Sequence, residues 1–253
     1  MPMNKARGNM YPWVTHTHAH LGGECPHKCS YCYVNDLIPK RFRAGGPGRP
    51  KTFVGPLRII PGAMNVRYGI GNTIFVDHCN DLFAEDVPAD VIGRVLDHCA
   101  RWPFNTYVYQ TKNPERFATF LPYTQPDCIL GCTIETNRDI PASISAAPRP
   151  IARAMAMRQL SGSRRLFVTV EPIMDFDVPV LGQWLRDIQP DFVNIGADSK
   201  ENGLPEPSRD KVLSLIDVLC ASGIEIVEKP SLGRLMNVSG VDNAKRLPRR
   251  KSV

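Results

Sequence analysis

The sequence lacks long hydrophobic runs. Of its 253 residues 43% are hydrophobic, yet stretches such as Phe192–Ala197 and Val212–Ile216 fall far short of the roughly 20 residues that a membrane-spanning helix needs. No signal-peptide-like apolar segment follows Met1–Asn9. Eight cysteines in a chain of this length do not make a disulfide scaffold. We therefore expect a cytoplasmic protein without membrane association, whose clustered cysteines hold a metal or take part in catalysis.

Aromatic residues are also few, at 8% of the chain. The net charge of +6 is concentrated in two basic segments, Lys40–Lys51 and Lys245–Lys251. These segments would suit a polyanion such as DNA, although aromatic side chains for base stacking are sparse beside them. The alternative is that they are solvated charges on a loop and near a terminus.

Short β-branched or aromatic runs alternate with helical patterns along the chain. The runs predict strands at Trp13–Thr17, Thr73–Val76, Thr106–Gln110, Cys128–Ile134, Leu166–Val170, Phe192–Ile195 and Ile224–Val227. Helices are predicted at Pro88–Arg101, Pro114–Leu121, Ile151–Leu160, Pro179–Ile188 and Ser208–Ser222. The pattern indicates an α/β fold of parallel strands, a partial or full (β/α) barrel. We expect one domain over residues 1–241, with a long basic Pro/Gly-rich loop at 37–71 and a basic tail at 242–253.

In such a barrel the residues that follow each strand converge on one rim, where active sites lie. The residues at these positions are rich in carboxylates and amides: Asp77, His78, Cys79, Asn80, Asp81, Thr111, Lys112, Glu135, Thr136, Asn137, Glu171, Gly196, Asp198, Glu228 and Lys229. Any one of them alone is equally a candidate helix cap. Their joint position predicts the functional rim.

Three cysteines, Cys25, Cys29 and Cys32, follow the first predicted strand with the spacing Cys-x3-Cys-x2-Cys. Three thiolates on a curled loop suit one face of an iron–sulfur cube, since cluster iron prefers soft sulfur ligands. The fourth iron then stays open to an outside chelator. Zinc would need a fourth ligand, and His27 lies inside the same loop.

In this spacing, in the aromatic Tyr31 and in the alternation of predicted strands and helices, the sequence resembles the radical S-adenosylmethionine (radical SAM) superfamily. Within it the chain is similar to a branch of short phage and prokaryotic members related in outline to spore photoproduct lyase. The segments that carry this closer resemblance are Ser30–Tyr33, Asn80–Phe83, Thr111–Pro114, Thr133–Asn137, Val170–Pro172 and Gly196–Ser199. The resemblance implies a 4Fe-4S cluster on the three cysteines, with S-adenosyl-L-methionine on its open iron. It also implies a 5′-deoxyadenosyl radical that takes hydrogen from a substrate, and a flavodoxin or ferredoxin type of one-electron reductant.

The resemblance further implies roles for residues at the rim. Tyr31 would flank the adenine, and Gly196 would lie at the adenine edge. Asn80 and Asp81 would contact the methionyl amino group, and Glu135 and Asn137 would contact the ribose. Glu171 and Asp198 complete the predicted cofactor-binding set. One departure is that the usual Gly-Gly-Glu after the second strand is replaced by Asp77–Asp81. Any of the residues Asp77–Asp81 could therefore make the contact to the methionyl end of the cofactor.

Three further rim residues are candidates for catalysis or substrate binding. Cys79 is placed to return a hydrogen atom to a product radical, and Lys112 and Lys229 to hold a carboxylate or phosphate. With the basic segments, they make a nucleobase, a nucleotide or DNA the predicted substrate. The other cysteines, Cys99, Cys128, Cys132 and Cys220, form no second cluster and are predicted to be buried small side chains.

Two other classes of protein remain open at this point. His16, His18 and His20 on one strand are typical of a divalent-metal hydrolase of the amidohydrolase type. The cysteines and basic segments together would also suit a zinc-stabilised nucleic-acid-binding module without catalysis.

Overall fold

The computed structural model describes residues 3–37 and 52–236, which form a mostly parallel eight-stranded sheet, a small two-stranded sheet and helices between the strands. The strands are β1 (Asn4–Lys5), β2 (His16–His18), β3 (Leu21–Gly22), β4 (Arg58–Ile59), β5 (Thr73–Val76), β6 (Thr106–Thr111), β7 (Ile129–Thr133), β8 (Arg165–Val170), β9 (Phe192–Ile195) and β10 (Glu225–Glu228). The helices are α1 (Tyr33–Leu37), α2 (Ala89–Ala100), α3 (Glu115–Phe120), α4 (Pro150–Gln159), α5 (Val178–Ile188), α6 (Arg209–Ala221) and α7 (Gly233–Met236).

The main sheet has the order β1-β2-β5-β6-β7-β8-β9-β10. From β2 to β10 every neighbouring pair is parallel, and β1 joins the edge antiparallel to β2. Its two outer strands, β1 and β10, do not pair within the described residues, so the sheet stays open. The predicted α/β fold is confirmed, in its partial-barrel form.

All seven predicted strands and all five predicted helices are present, with ends that differ by at most a few residues. β5 and β9 have the predicted bounds, because each is a short buried apolar run that a polar residue ends. The predicted first strand is shifted: pairing begins at His16, and Trp13 leaves the strand to pack against aromatic rings. Ser208 caps α6 as expected, accepting a hydrogen bond from the backbone N–H of Lys211.

The sequence patterns missed the shortest elements. β3 and β4 form a separate two-stranded antiparallel ladder, in which Leu21 pairs with Ile59 and Gly22 with Arg58. The described part of the predicted 37–71 loop therefore carries a strand, and also a short 3-10 helix at Ala63–Asn65. The basic segments Lys40–Lys51 and Lys245–Lys251 lie outside the described residues.

One face of the sheet is covered by helices and holds the main hydrophobic core. Inward residues of α2, α5 and α6 pack on outward-facing strand residues, for example Leu96 on α2 and Leu215 on α6. Cys99, Cys128 and Cys132 lie in buried positions, as predicted, whereas Cys220 is exposed because it lies beside the inward stripe of α6. Every helix in residues 3–37 and 52–236 is too short or too polar to cross a bilayer.

The other face is the inner face of the partial barrel, and its amino end is closed by an aromatic plug, which we define as Tyr11, Trp13, Phe75, Phe167 and Phe192. These residues belong to one packed cluster. The rings of Phe167 and Phe192 stack at 5.3 Å, and those of Tyr11 and Trp13 also stack at 5.3 Å. Gly131 makes room for this packing, because a Cβ there would lie 2.1 Å from the Phe167 ring.

Candidate functional site

The three clustered cysteines lie on a loop that follows β3 and ends at α1. Backbone hydrogen bonds tie this loop to the segment before α4: Ser30 N donates to Ile144 O (2.8 Å), and Ala146 N donates to His27 O (2.7 Å). The Cys29 thiol lies 3.2 Å from the Ser145 hydroxyl. The loop is therefore held in a curled shape by neighbours far away in the sequence.

The cysteine thiols are close enough to influence one another. Burial raises the pKa of Cys25 to about 12, and the charges of Cys29 and Cys32 contribute to this rise. Burial also raises the pKa of Cys32. A cofactor that binds these sulfurs as thiolates must therefore displace their protons.

Single-ion metal sites fit the described residues poorly. In residues 3–37 and 52–236, no three or more His, Cys, Asp or Glu side chains are grouped so that they could hold one metal ion. An iron–sulfur cube makes a different demand, because its cysteines bind separate iron atoms rather than meeting at one point. Three neighbouring thiols on one loop are the type of ligand that such a cube uses.

Asp81 anchors the cysteine loop to the ends of two strands. Its Oδ2 accepts a hydrogen bond from His27 Nε2 at 2.7 Å, and further ones from the Thr111 hydroxyl (3.0 Å) and the Lys112 backbone N–H (2.7 Å). Its Oδ1 accepts from Phe83 N at 2.9 Å. Burial alone would raise the pKa of Asp81, but these donors, His27 first, lower it below the usual value. Protein groups therefore already occupy this carboxylate, and no pattern along the chain predicts these contacts.

Glu135 is the centre of a buried charged group beside the loop. Its Oε1 accepts hydrogen bonds from the Tyr31 hydroxyl and from Lys112 Nζ, each at 2.5 Å, and its Oε2 from Arg153 Nη1 at 2.7 Å. Burial opposes ionisation, yet Lys112 and Arg153 lower the pKa of Glu135 to about 2. Lys112 also lies over the Tyr31 ring, 5.3 Å from its centroid. The structure thus brings together three of the predicted rim residues and adds Arg153.

Arg153 was missed because it follows no strand; it lies on α4. A signal was present, since the buried positions of α4 include Pro150, Arg153, Ala154 and Met157, which form one helical stripe. An arginine on an inward stripe needs a buried partner. Glu135 is that partner.

Asn80, Asn137 and Asp198 lie apart from the Glu135 group. Asn80 donates to Gly23 O at 3.1 Å and so supports the start of the cysteine loop. Asn137 pairs with Asp177, 3.1 Å from its carboxylate. Asp198 accepts from the backbone N–H and side-chain amide of Asn202, at 2.5 and 2.6 Å. Each has protein partners for its polar side chain.

Glu171, Gly196 and Lys229 form a second polar group, in contact with the plug. Lys229 is buried, lies 3.6 Å from the Glu171 carboxylate and stands 4.6 Å from the centroid of the Tyr11 ring. Burial lowers the pKa of Lys229. A Cβ at Gly196 would lie 2.7 Å from Glu171, so this carboxylate needs a glycine beside it.

Cys79 is buried near the cysteine loop. Its sulfur lies 3.7 Å from the Tyr33 hydroxyl, which also donates to His78 O at 2.6 Å. The Tyr33 hydroxyl thus connects the segment after β5 with α1. None of the eight cysteines, all of which are described, forms a disulfide.

His16, His18 and His20, on and just after β2, all have partners within the protein. His16 Nδ1 lies 3.0 Å from the Thr15 hydroxyl. His20 lies beyond β2, with Nδ1 3.1 Å from the Asp77 carboxylate and Nε2 3.0 Å from His98 Nδ1. His18 Nε2 lies 3.2 Å from Ala63 O, and burial lowers the pKa of His18 to about 4. The predicted hydrolase site at His16, His18 and His20 is not assembled within the described part of the chain.

Solved structures of spore photoproduct lyase share this fold. A mutant with bound AdoMet and dinucleoside spore photoproduct matches with a TM-score of 0.50 and 11% identity, over 83% of this chain and 62% of the other. A lyase complexed with dinucleoside spore photoproduct matches with a TM-score of 0.52 and 13% identity, over 76% and 58%. A Tyr-to-Phe mutant matches with a TM-score of 0.57 and 10% identity, over 88% and 78%. The chain spans 62% of the length of the first of these structures.

At these identities the likeness establishes the fold alone: an α/β protein with an open, partial barrel like that of spore photoproduct lyase. The chain belongs to the family described as "Protein of unknown function (DUF5131)", whose model matches residues 11–202. No curated protein matches the sequence.

Proposed function

We propose that the protein is a radical SAM enzyme. The observation that carries the proposal is the curled loop with Cys25, Cys29 and Cys32, placed beside strand ends in a partial barrel like that of spore photoproduct lyase. The three thiols would hold a 4Fe-4S cluster, and AdoMet would take the open iron. When bound, these groups supply one-electron cleavage of the sulfonium and hence a 5′-deoxyadenosyl radical.

The protein's own residues would bind and orient these groups. Tyr31, whose hydroxyl is fixed by Glu135, would present its ring to the adenine. Asp81 would keep the cysteine loop against the strand ends through His27, rather than contact the methionyl amino group directly. Glu135 would act in the same way, as the fixed partner of Lys112 and Tyr31. Cys79 would give the hydrogen atom of its S–H bond to a product radical, and one electron from the proposed flavodoxin- or ferredoxin-type reductant, with a proton, would restore the thiol from the resulting thiyl radical.

We further propose a nucleobase, a nucleotide or DNA as the substrate. Two of the structural neighbours carry a dinucleoside photoproduct, and Lys112 and Lys229 add positive charge near the strand ends. The alternatives that use a single metal ion, a hydrolase or a zinc module, lack a suitable group of ligands among the described residues.

The test is anaerobic purification and reconstitution of the full chain. We expect about four irons and four sulfides per chain, an EPR signal on reduction, and 5′-deoxyadenosine and methionine from AdoMet. Deuterated nucleosides, oligonucleotides and amino acids are then screened for label transfer into 5′-deoxyadenosine. Stoichiometric zinc with no cluster after reconstitution would contradict the proposal.

A further inference from the structure

Arg153 is a charged side chain in an unusual place. It lies on α4, outside the strand ends, and is only 1% exposed. Its Nε donates to Pro148 O at 2.6 Å, and its Nη1 donates to Thr133 O at 3.0 Å and to Glu135 Oε2 at 2.7 Å. Its Nη2 is buried without a hydrogen-bond partner. Burying a guanidinium with an unpaired N–H is costly.

Packing alone does not require this charge. A buried ion pair is often no more stable than well-packed apolar residues of the same volume. The neighbours of Arg153 on the same stripe, Ala154 and Met157, are apolar and buried. The charge of Arg153 is therefore explained by its charged partner Glu135 rather than by the packing of α4.

The contacts of Glu135 show what Arg153 reaches. One carboxylate oxygen is held by Arg153, and the other accepts from Tyr31 and Lys112. Both of these side chains lie beside the cysteines: Tyr31 precedes Cys32 directly, and the charge of Lys112 acts on Cys32. The geometry of Glu135, and hence of Tyr31 and Lys112, depends on Arg153.

The same group carries an excess of positive charge. Lys112 and Arg153 contribute two positive charges to this group, and Glu135, which is 0% exposed, contributes one negative charge. Asp81, which accepts from the Lys112 backbone N–H, adds a further negative charge that none of the variants below changes. A net positive charge in a medium of low dielectric constant stabilises a nearby negative group. Three thiolates that hold a cluster are such a group, and nearby charge is one factor that sets a cluster's reduction potential.

We propose that Arg153 is a positioning residue for the cofactor site. It holds Glu135 so that Tyr31 and Lys112 stay beside the cysteine loop, and it supplies the excess positive charge that favours reduction of the cluster. This inference rests on the proposed function, because it concerns the cluster and AdoMet that the site would bind.

The experiment compares Arg153→Met with Arg149→Met in the full reconstituted chain. Arg149 precedes the same helix and pairs with Asp139 on the surface, so it is a matched control. For Arg153→Met we expect a more negative reduction potential and about tenfold weaker AdoMet binding, as for losses in the outer shell of metal sites. Arg149→Met should equal the wild type in both. Arg153→Lys, which keeps the charge, should restore the potential toward that of the wild type.

A double variant separates the effect of the Arg153 charge from its effect on the position of Tyr31 and Lys112. It also provides a second test if Arg153→Met fails to fold. Arg153→Met with Glu135→Gln removes both buried charges and leaves one net positive charge, as in the wild type. Its potential should therefore return toward that of the wild type, while AdoMet affinity stays weak because Tyr31 is no longer held by a carboxylate. A potential as negative as in the single variant would overturn the role of charge.

The two levels of proposal fail in different ways. A wild-type chain that takes up no cluster contradicts the proposed function. A wild-type chain that takes up the cluster, with an Arg153→Met variant that matches Arg149→Met in both potential and AdoMet affinity, contradicts the inference alone.

Discussion

The two ends of the barrel's inner face are built from different chemistry. At the amino end, the plug buries aromatic rings against one another. Two residues further along the same strands, Gln110, Thr169 and Asn194 replace the apolar side chains, and beyond them lie the ion pairs of Glu135 and Glu171. Successive inward positions of a strand share a face, so a step of two residues moves from one environment to the other.

The comparison shows that each end contains buried polar atoms without hydrogen-bond partners. Trp13 Nε1 is such an atom at the aromatic end, and Asn194 Oδ1 and Arg153 Nη2 are such atoms toward the polar end. The Tyr11 hydroxyl joins the two ends, since it donates to Gln110 Oε1 at 2.8 Å and lies 2.7 Å from the Thr169 hydroxyl. The two ends therefore differ in their packing: rings pack on rings at the aromatic end, and the charged groups that the proposed chemistry needs lie at the polar end.

The largest effect expected at the polar end is the loss of the cofactor. Cys29→Ala should abolish binding of the cluster, because two thiols from one loop are too few to hold a cube. Iron and sulfide analysis after anaerobic reconstitution measures this. Cys220→Ala changes an exposed cysteine on α6 and should keep the full iron content. Equal iron in the two variants would show that the cysteine loop is not the site.

The next effect concerns Asp77, which accepts hydrogen bonds from the backbone of His20 and Leu21. Burial opposes its ionisation, but His20 and these amides lower the pKa of Asp77 below its usual value. Its stabilisation is therefore complete above about pH 4 and is lost as the pH falls through the lower folded-state pKa. Asp77→Asn should cost roughly 3 kcal/mol at pH 7, because the amide nitrogen that replaces one carboxylate oxygen cannot accept a hydrogen bond and leaves a buried donor unpartnered.

Urea unfolding at pH 7 and pH 3 checks this prediction. The difference between the wild type and Asp77→Asn should shrink at the lower pH, where the wild-type carboxylate is losing its charge. Asp139→Asn, at an exposed pair with Arg149, is the control and should leave the urea midpoint unchanged. A difference of the same size at both pH values would be inconsistent with an ionised Asp77.

At the aromatic end, Gly131→Ala should destabilise the protein by roughly 2 to 3 kcal/mol, because the new Cβ overlaps the Phe167 ring. Gly93→Ala on α2 is the matched control: its Cβ meets nothing within 4 Å, and alanine should add about 0.5 to 1 kcal/mol in a helix. Chemical denaturation measures both. If Gly131→Ala stabilised the protein as much as Gly93→Ala does, the prediction would be wrong, and the plug would have moved to accommodate the added methyl group.

The smallest effect is expected outside both ends. Arg149→Ala breaks an ion pair with Asp139 whose two side chains are 70% and 65% exposed. Such pairs are screened by water and contribute little. We expect no resolvable change in the urea midpoint or in AdoMet affinity. A clear loss of either would extend the functional site to the start of α4.

The alternating pattern of the sequence predicts the large elements well. Thr73–Val76 and Phe192–Ile195 are short apolar runs with polar ends, and both are strands with those bounds. The ladder of Leu21–Gly22 with Arg58–Ile59 has two residues in each strand, too few for any periodicity to show. Short pairings depend on partners far away in the chain, which local patterns do not contain.

The candidate site divides in the same way. The spacing of Cys25, Cys29 and Cys32 marks the loop, and the strand ends mark Asp81 and Glu135. The partners of these carboxylates, His27 for Asp81 and Arg153 for Glu135, come from a loop and from the buried face of a helix. A prediction based only on the residues that follow strands finds the two carboxylates but not the side chains that donate hydrogen bonds to them.

The aromatic plug also sets the order in which the chain can fold. Tyr11 is synthesised well before Thr169, 158 positions later, whose hydroxyl lies within hydrogen-bond distance of the Tyr11 hydroxyl. Its ring partner Phe167 lies on β8, and Trp13 packs on Phe192 of β9. Contacts between residues so far apart slow folding, and unpartnered rings on a nascent chain are a liability for aggregation. The amino-terminal rings must stay exposed or be shielded until β9 has been synthesised.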